Sequence, residues 1–405
     1  MKLFLLTTTL MMSTVALAQQ TVNVKVTNNA SFGRQSVPVV IALDKYGPVA
    51  SALVKADGSE IPCQLDDLDS DGQYDELCFL TDLEQKQTRQ FNVTFSLEGK
   101  PREYKPQVYA EMMLSNKKIK ETNKQDIYIS SLTVDRDVNP YNQLHHHGPA
   151  FENDMVAYRV YFDHRQTIDI YGKYRRGLEI KQTQFYPDES QKAQGFGDDV
   201  LWVGETFGLG TLRGFDGSHP TMVRDVEQRG QRIVSRGPLR TIVEMTDKQW
   251  KPSAEAQPVN MTTRYTLYAG RRDLQVDVKF SRPVADLRFS TGIINVKNST
   301  EYTDKKGLRG CWGTDWPVSE KDSAGHKRET VGLGICIPRA SLVQELPADP
   351  DNYGYEIAIR SNQFHYWVTF CSDNESFGYH NAKDWFDYLK LWRRDIEQPI
   401  VVKIL

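Results

Sequence analysis

Apolar and polar residues alternate with a period of two along most of this chain, the pattern of half-buried β-strands. In 89–97 the apolar parity is carried by Phe91, Val93, Phe95 and Leu97, and in 274–280 by Leu274, Val276, Val278 and Phe280. Comparable runs predict strands over 21–26, 37–43, 264–268, 289–295, 331–337, 356–359, 364–370 and 399–405. The 264–268 and 274–280 runs are joined by Ala-Gly-Arg-Arg-Asp, which reads as a glycine-containing hairpin loop. Only 384–394 has helical spacing, with Trp385, Tyr388, Leu389 and Trp392 on one stripe. Many strands without intervening helices argue against a doubly wound or barrel α/β architecture. The expectation is an all-β protein built as a large antiparallel sandwich. The polar, lysine-rich stretch 100–126 reads as a link between an N-terminal β region (19–100) and a main β body (101–405), unless 19–405 is one continuous domain.

The densest chemistry lies in 145–173, HHHGPAFENDMVAYRVYFDHRQTIDIYGK. Alternation puts Val156, Tyr158, Val160 and Phe162 on an apolar face and Ala157, Arg159 and Tyr161 on the other. A second alternation follows, with Ile168 and Ile170 apolar and Asp169, Tyr171 and Lys173 polar. Pairing Phe162 and Val160 with Ile168 and Ile170 calls for a five-residue loop, 163–167. In that register Arg159 faces Tyr171 and Tyr161 faces Asp169, with Lys173 one pair further along. The product is a cationic, phenol-rich row on a rigid sheet, with His145, His146 and His147 entering from a preceding loop. Neighbours in an extended chain point to opposite sides, so at most two of the three histidines share a site. Metal ligation and general acid–base work both fit them. The alternative for the whole row is a solvated sheet face with cross-strand charge pairs.

Residues 1–18 read as an export signal, with Lys2, an apolar core and Ala16-Leu17-Ala18 before Gln19. No cysteine stands at the cut to take a lipid, and no later apolar run is long enough to span a bilayer. The expected location is therefore periplasmic or secreted, without membrane insertion. A net charge of −3 gives no reason to expect nucleic acid as a partner. Seven tryptophans and nineteen tyrosines suit sugar stacking, though aromatics also fill β cores. Among the five cysteines, Cys63 and Cys78 flank an acidic loop and are candidates for a disulfide; the others read as buried thiols.

That acidic loop carries Asp67, Asp69, Asp71, Gly72 and Asp75, and alternate carboxylates with a glycine suit a structural calcium ion. Strands flank it, and an EF-hand's twelfth position would be Cys78 rather than glutamate, so a solvated acidic turn is the alternative. The segment Gly195-Phe196-Gly197-Asp198-Asp199, then Trp202, reads as the rim of a sugar-binding cleft or a plain turn. Arg213 and His219 follow it as further substrate-binding candidates. Gly310-Cys311-Trp312 to Trp316 offers aromatic platforms or core packing. No nucleophile elbow or phosphate-binding loop occurs.

The run 145–173, then GFGDDVLWVGETFGLGTLRGFDG, then RYTLYAGRRDLQVDVKF, resembles a family of exported bacterial proteins known as a domain of unknown function. Members occur among polysaccharide-utilisation genes, beside or fused to unsaturated glucuronyl hydrolases. The resemblance implies a galactose-mutarotase-like β-supersandwich and, through a related ulvan oligosaccharide dehydratase, removal of water from a terminal uronate. Such a reaction needs a cation for the carboxylate, a base for the C5 proton and an acid for the C4 hydroxyl, and no cofactor. Arg159 or Lys173 would supply the charge, and His146, His147, Tyr161 and Tyr171 the proton transfer. The implied substrate is an acidic oligosaccharide, and the glucuronyl hydrolase is the expected pathway neighbour. The rivals are a non-catalytic acidic-glycan binder, an epimerase or mutarotase, and a glycosidase drawing on Glu152, Asp198 or Asp199.

Overall fold

The computed structural model of the protein describes residues 19–405, so the export signal read at 1–18 lies outside the described residues. The chain is all-β, and its strand pairs form antiparallel sheets of nine, six, five, five and three strands. The nine-stranded sheet runs in the order Ser131–Asp135, Gln228–Arg236, Arg240–Trp250, Val259–Tyr268, Leu274–Phe280, Gln363–Ser372, Glu329–Cys336, Leu308–Asp315, Thr300–Thr303. Its inner parity, including Val243, Met261, Leu274, Val276 and Val368, shares one apolar core with Tyr158, Val160, Ile168 and Ile170 of the six-stranded sheet. Two sheets that each present an apolar face bury them against each other, which is the sandwich the alternation predicts.

A second core lies in the N-terminal layer, where Val24, Val39, Val54, Phe79, Phe91 and Phe95 pack together. The last strand, Val401–Ile404, returns to pair with Gln19–Thr27, so the end of the chain joins the N-terminal layer rather than the main body. The one long helix, Ala382–Glu397, is capped by Asn381, which accepts from the Asp384 N–H at 2.9 Å. Its buried stripe of Trp385, Leu389 and Trp392 covers the far end of the nine-stranded sheet, where the Trp385 indole donates to the Leu333 carbonyl at 3.1 Å.

Three expectations change. The stretch read as a polar link contains the strand Val108–Leu114, whose parity places Ala110 and Met112 in the core and Glu111 on the opposite face. Cys63 and Cys78 are free buried thiols; Cys63 pairs with Phe79 and Gln64 with Cys78, so the two sulfurs leave opposite faces of one ladder. The 156–171 hairpin pairs two residues away from the expected register, with Arg159 opposite Asp169, Val160 opposite Ile168 and Ala157 opposite Tyr171. A two-residue slip preserves which face is apolar, so alternation cannot detect it.

The N-terminal layer is tied to the main sheet through Arg240. Its Nε donates to Asp66 at 2.8 Å and its Nη2 to Glu76 at 2.7 Å. The Gln64 side chain accepts from the backbone N–H groups of Leu239 and Arg240 at 2.6 and 3.0 Å. Removing this guanidinium leaves the Asp66 carboxylate buried and unpaired. Arg240→Ala is expected to destabilise the protein by about 3–5 kcal/mol in chemical denaturation. Asp69→Asn, on the exposed loop, is expected to stay within about 0.5 kcal/mol of the parent.

Candidate functional site

The six-stranded sheet runs Asp198–Asp199, Ile168–Gly172, Ala157–Val160, Leu144–Asn153, Val108–Leu114, Ile127–Tyr128. The face turned away from the core carries Glu111, Ala150, Arg159 and Asp169 in one row across four strands. The next row holds Tyr109, Glu152, Ala157, Tyr171 and Asp199. The small side chains of Ala150 and Ala157 leave space that Phe185, Ile180 and Tyr186 of the following segment fill. That segment holds the short helices Ile180–Thr183 and Glu189–Ala193, and it seals most of the polar face from water.

Arg159 is the centre of what remains. Its Nε and Nη2 donate to Asp169 Oδ2 at 2.9 and 2.6 Å, and Nη2 also reaches Asp199 Oδ2 at 2.7 Å. Nη1 donates to the Tyr186 hydroxyl at 2.9 Å, and Nη2 to the Tyr161 hydroxyl at 2.9 Å. Tyr161 in turn donates to Asp169 Oδ2 at 2.8 Å, and the Phe185 ring lies 4.3 Å from the guanidinium carbon. A single cation therefore faces two carboxylates. Burial pushes the Asp199 carboxyl up to about 8; Arg159 opposes the shift and Asp169 adds to it. Asp199 is the member open to solvent, with 18% of its side chain exposed against none for Asp169. Burial likewise pushes the Tyr161 and Tyr171 phenols well above their usual range, which favours their protonated forms.

The histidines do not enter from a loop. They open the strand Leu144–Asn153 at a bulge between His145 and Ala150, where His146 and His147 have φ of 45° and 64°. Gly148 is required there, because a Cβ would sit 1.9 Å from the Val160 carbonyl oxygen. The bulge sends the three rings to different places. His145 Nε2 donates to the Gln184 carbonyl at 3.1 Å. His146 is fully buried 3.2 Å from Glu111 Oε1, and burial holds it well below its usual range. His147 is half-buried and stacks on Tyr141 at 3.8 Å. Its Nδ1 lies 2.9 Å from the Tyr141 carbonyl, which only accepts, so Nδ1 carries the hydrogen and Nε2 is left bare. Burial lowers its pKa, which keeps the ring neutral near pH 7. Arg165 lies beside these rings, 5.0 Å from Tyr141 and 4.9 Å from Tyr161, and is bound to Asp163 at 2.6 Å.

The other predicted residues separate. Lys173 is fully buried and donates to Glu152 Oε2 at 2.5 Å and to the Asn153 carbonyl at 2.6 Å. Glu152 also accepts from the Glu179 and Ile180 N–H groups at 2.8 and 2.7 Å, so this pair is closed and offers no charge to a ligand. Tyr171 donates to Glu179 at 3.2 Å, away from the Arg159 cluster. Arg213 is buried and spends its guanidinium on the Glu205 and Thr206 carbonyls. His219 sits on an exposed turn held by Asp216. Trp202 is 47% exposed and stands three residues beyond Asp199 in the chain. Gly197 sets that approach, since a Cβ would lie 2.1 Å from the Gly172 carbonyl.

Asp67, Asp69 and Asp71 bring carboxylate oxygens within 4.8 Å of one another, a spacing that suits a cation. Both oxygens of Asp67 already accept loop N–H groups, from Ser70 and Gly72, as in a plain acidic turn. Asp75 is turned away to the Leu68 N–H. Sequence reasoning missed Tyr141, Tyr186 and Arg165, and treated Asp169 only as a cross-strand neighbour. No local motif marks these residues; chain crossings many residues apart assemble them.

A family profile described as a domain of unknown function, DUF4861, matches residues 26–402. No curated protein matches the sequence. Among solved structures the chain is similar to an α-mannosidase from Enterococcus faecalis V583, with 9% identity and a TM-score of 0.47. It is equally similar to a protein in glycosyl hydrolase family 38 from Enterococcus faecalis, with 9% identity and a TM-score of 0.47. Each match covers 95% of this chain but 46% and 47% of the other, so the chain spans about half the length of those structures.

The closed Lys173–Glu152 pair predicts a stability effect rather than a specific loss of chemistry. Lys173→Ala is expected to cost about 3–5 kcal/mol in urea unfolding, because it leaves Glu152 buried without its cation. A variant that unfolds like the parent but has lost all turnover would return Lys173 to the site.

Proposed function

The chain belongs to the DUF4861 family, and we propose that it is a carbohydrate-active carbon–oxygen lyase that removes water across C4–C5 of a uronic acid in an oligosaccharide. One observation carries this reading. Asp169 and Asp199 share the single guanidinium of Arg159, and the carboxyl nearer solvent, raised by burial, lies within three residues of an exposed tryptophan. A carboxylic acid still protonated at neutral pH is what a departing hydroxyl needs.

The bare Nε2 of neutral His147 is the base that takes the C5 proton. Arg165, partly exposed beside it, meets the uronate carboxylate and stabilises the enolate-like charge that follows. The C4–O bond then breaks, its electron pair leaves with the oxygen, and the Asp199 proton completes a water molecule. The C5–H pair becomes the new C4–C5 double bond. Arg159 and Tyr161 hold the acid in place, and Trp202 stacks the sugar ring. The exported location and the uronate substrate class belong to this same proposal.

The test is incubation with uronate oligosaccharides, read by mass and by ultraviolet absorbance of an unsaturated uronate. The expected result is loss of one water per molecule with a rise in absorbance. Tight binding with neither change, or cleavage without unsaturation, overturns the proposal. Asp199→Asn and His147→Gln are each expected to lower kcat by roughly 100-fold or more.

The pH dependence follows from the raised carboxyl. Because the acid form of Asp199 is the active one, kcat is expected to fall as pH rises through about 8. Asp199→Asn is expected to abolish that alkaline limb along with most of the rate. An alkaline limb that persists unchanged in the variant assigns the acid to another group.

A further inference from the structure

We propose a second carbohydrate-binding site, a trough along the outer face of the nine-stranded sheet at its seam with the N-terminal layer, that takes an acidic oligosaccharide. The ligand class rests on the acidic-sugar reading above, whereas the placement of the site does not. The strands dictate the trough floor. Their register lines up Arg232, Glu244, Arg264, Asp277 and His365 in one row of alternating charge across five strands. Glu244 is pinned by both neighbours, accepting from Arg232 at 2.7 Å and from Arg264 at 2.8 Å. Cross-strand pairing alone would explain that row. It does not explain the space beside it.

A cavity of about 410 Å³ lies over the row, walled on the N-terminal side by Glu76. Gln275 is common to this cavity and to a smaller one of about 160 Å³ floored by Trp367 and Tyr268. Arg34, Arg271, Asp273 and Asp395 are common to that one and to a chamber of about 420 Å³ reaching the long helix. The three adjoin one another through these shared residues and together make up the trough. The span from Leu274 to Lys279 alone covers roughly 17 Å of extended strand, room for several sugar rings.

The chemistry changes along this trough in a way that selects a ligand. At one end Lys279 is exposed and, among the described residues, makes no ion pair, with the Gln363 amide opposite it. In the middle stands the half-buried Trp367 ring, crossed edge-on by His365 at 5.2 Å. The far chamber is lined by four guanidiniums, Arg34, Arg176, Arg271 and Arg272, each paired with a carboxylate of the protein: Asp395, Asp154, Asp273 and Glu375 respectively. Its walls also carry Phe32, Phe377, Tyr379, Tyr388 and Trp392. One donor lining it, the Trp392 indole N–H, is buried without a hydrogen-bond partner, whereas Arg34 Nε lies 3.2 Å from Asp395 Oδ1. Buried donors are normally satisfied, so the indole calls for an acceptor from outside the protein. Aromatic faces for sugar C–H groups, the unpaired Lys279 ammonium for a carboxylate and an unmet indole donor for a hydroxyl oxygen together describe an acidic oligosaccharide.

Met155 and Arg176 contribute to the far chamber from the Asn153-side end of the candidate catalytic sheet, while His147 lies at that sheet's opposite end. The trough is thus a separate holding site that keeps a long chain on the protein while its terminus is processed.

The experiment is calorimetric titration of the full chain carrying Asp199→Asn, so that turnover does not interfere. The probes are glucuronate and galacturonate tetrasaccharides, with cellotetraose as the neutral control. An acidic tetrasaccharide is expected to bind, and Lys279→Ala and Trp367→Ala are each expected to weaken binding about tenfold. Lys279 is exposed and unpaired, so its variant reads binding even if the tryptophan variant fails to fold. Unchanged affinity in the lysine variant, no binding of either acidic probe, or equal binding of cellotetraose overturns the inference. Binding lost through His147→Gln instead assigns all affinity to the other site and also overturns it. Trough-dependent binding in this variant together with no dehydration by the parent protein removes the proposed reaction and leaves this site standing.

Discussion

A buried cation must be paired, and Arg159 is paired twice over. The candidate site depends on that imbalance. Removing two carboxylates and one guanidinium from water is tolerable only if the excess negative charge is relieved, and a proton on one carboxyl is the cheapest relief. The network decides which carboxyl takes it. Asp169 is fully buried and accepts from Arg159 and Tyr161, whereas Asp199 stands at the sheet edge with one route to solvent. The phenols of Tyr161 and Tyr186 complete the shell without adding charge. The aromatic ring of Phe185 closes it on the remaining side.

The Lys173–Glu152 pair shows what the same face does when charges balance. One cation meets one carboxylate, and the backbone donors of Glu179 and Ile180 occupy the rest of that carboxylate. Nothing is left to donate, accept or titrate toward a ligand. Lys173 and Asp169 share one parity, yet one fastens the covering segment to the sheet while the other joins the charge cluster around Arg159. Residue type therefore says little about role here; the count of opposing charges within a dry volume says most of it.

The long-range ties have the same logic on a larger scale. Arg240 joins the N-terminal layer to the main sheet, and the returning strand Val401–Ile404 holds that layer from its other edge. At the seam between the layers, guanidiniums and aromatic rings line cavities alongside aliphatic residues such as Val37, Ile396 and Ile400.

Much of the architecture was legible without coordinates. Alternation named the strands near Gln19–Thr27, Thr88–Ser96, Leu274–Phe280 and Gln363–Ser372, and a helical stripe named Ala382–Glu397, since both are local properties of a side-chain period. It also placed Arg159 and Tyr161 on the face away from Tyr158 and Val160. The register of the 156–171 hairpin was beyond it, because slips of two residues leave every face unchanged and only the direct opposition of Arg159 and Asp169 separates them. The divergent directions of the three histidines were hidden too, since they follow from a bulge that Gly148 permits against Val160.

What this sequence determined by itself is the all-β class, the strand parities and the inventory of cations, imidazoles and phenols on one face. Tertiary structure alone decided that Lys173 is sealed by Glu152, that His147 shows a bare nitrogen at the surface, and that Asp199 arrives beside Arg159 from forty positions away. The reason is physical. Side-chain period is set by neighbours in the chain, whereas desolvation and charge balance are set by whatever else the fold brings into the same few ångströms.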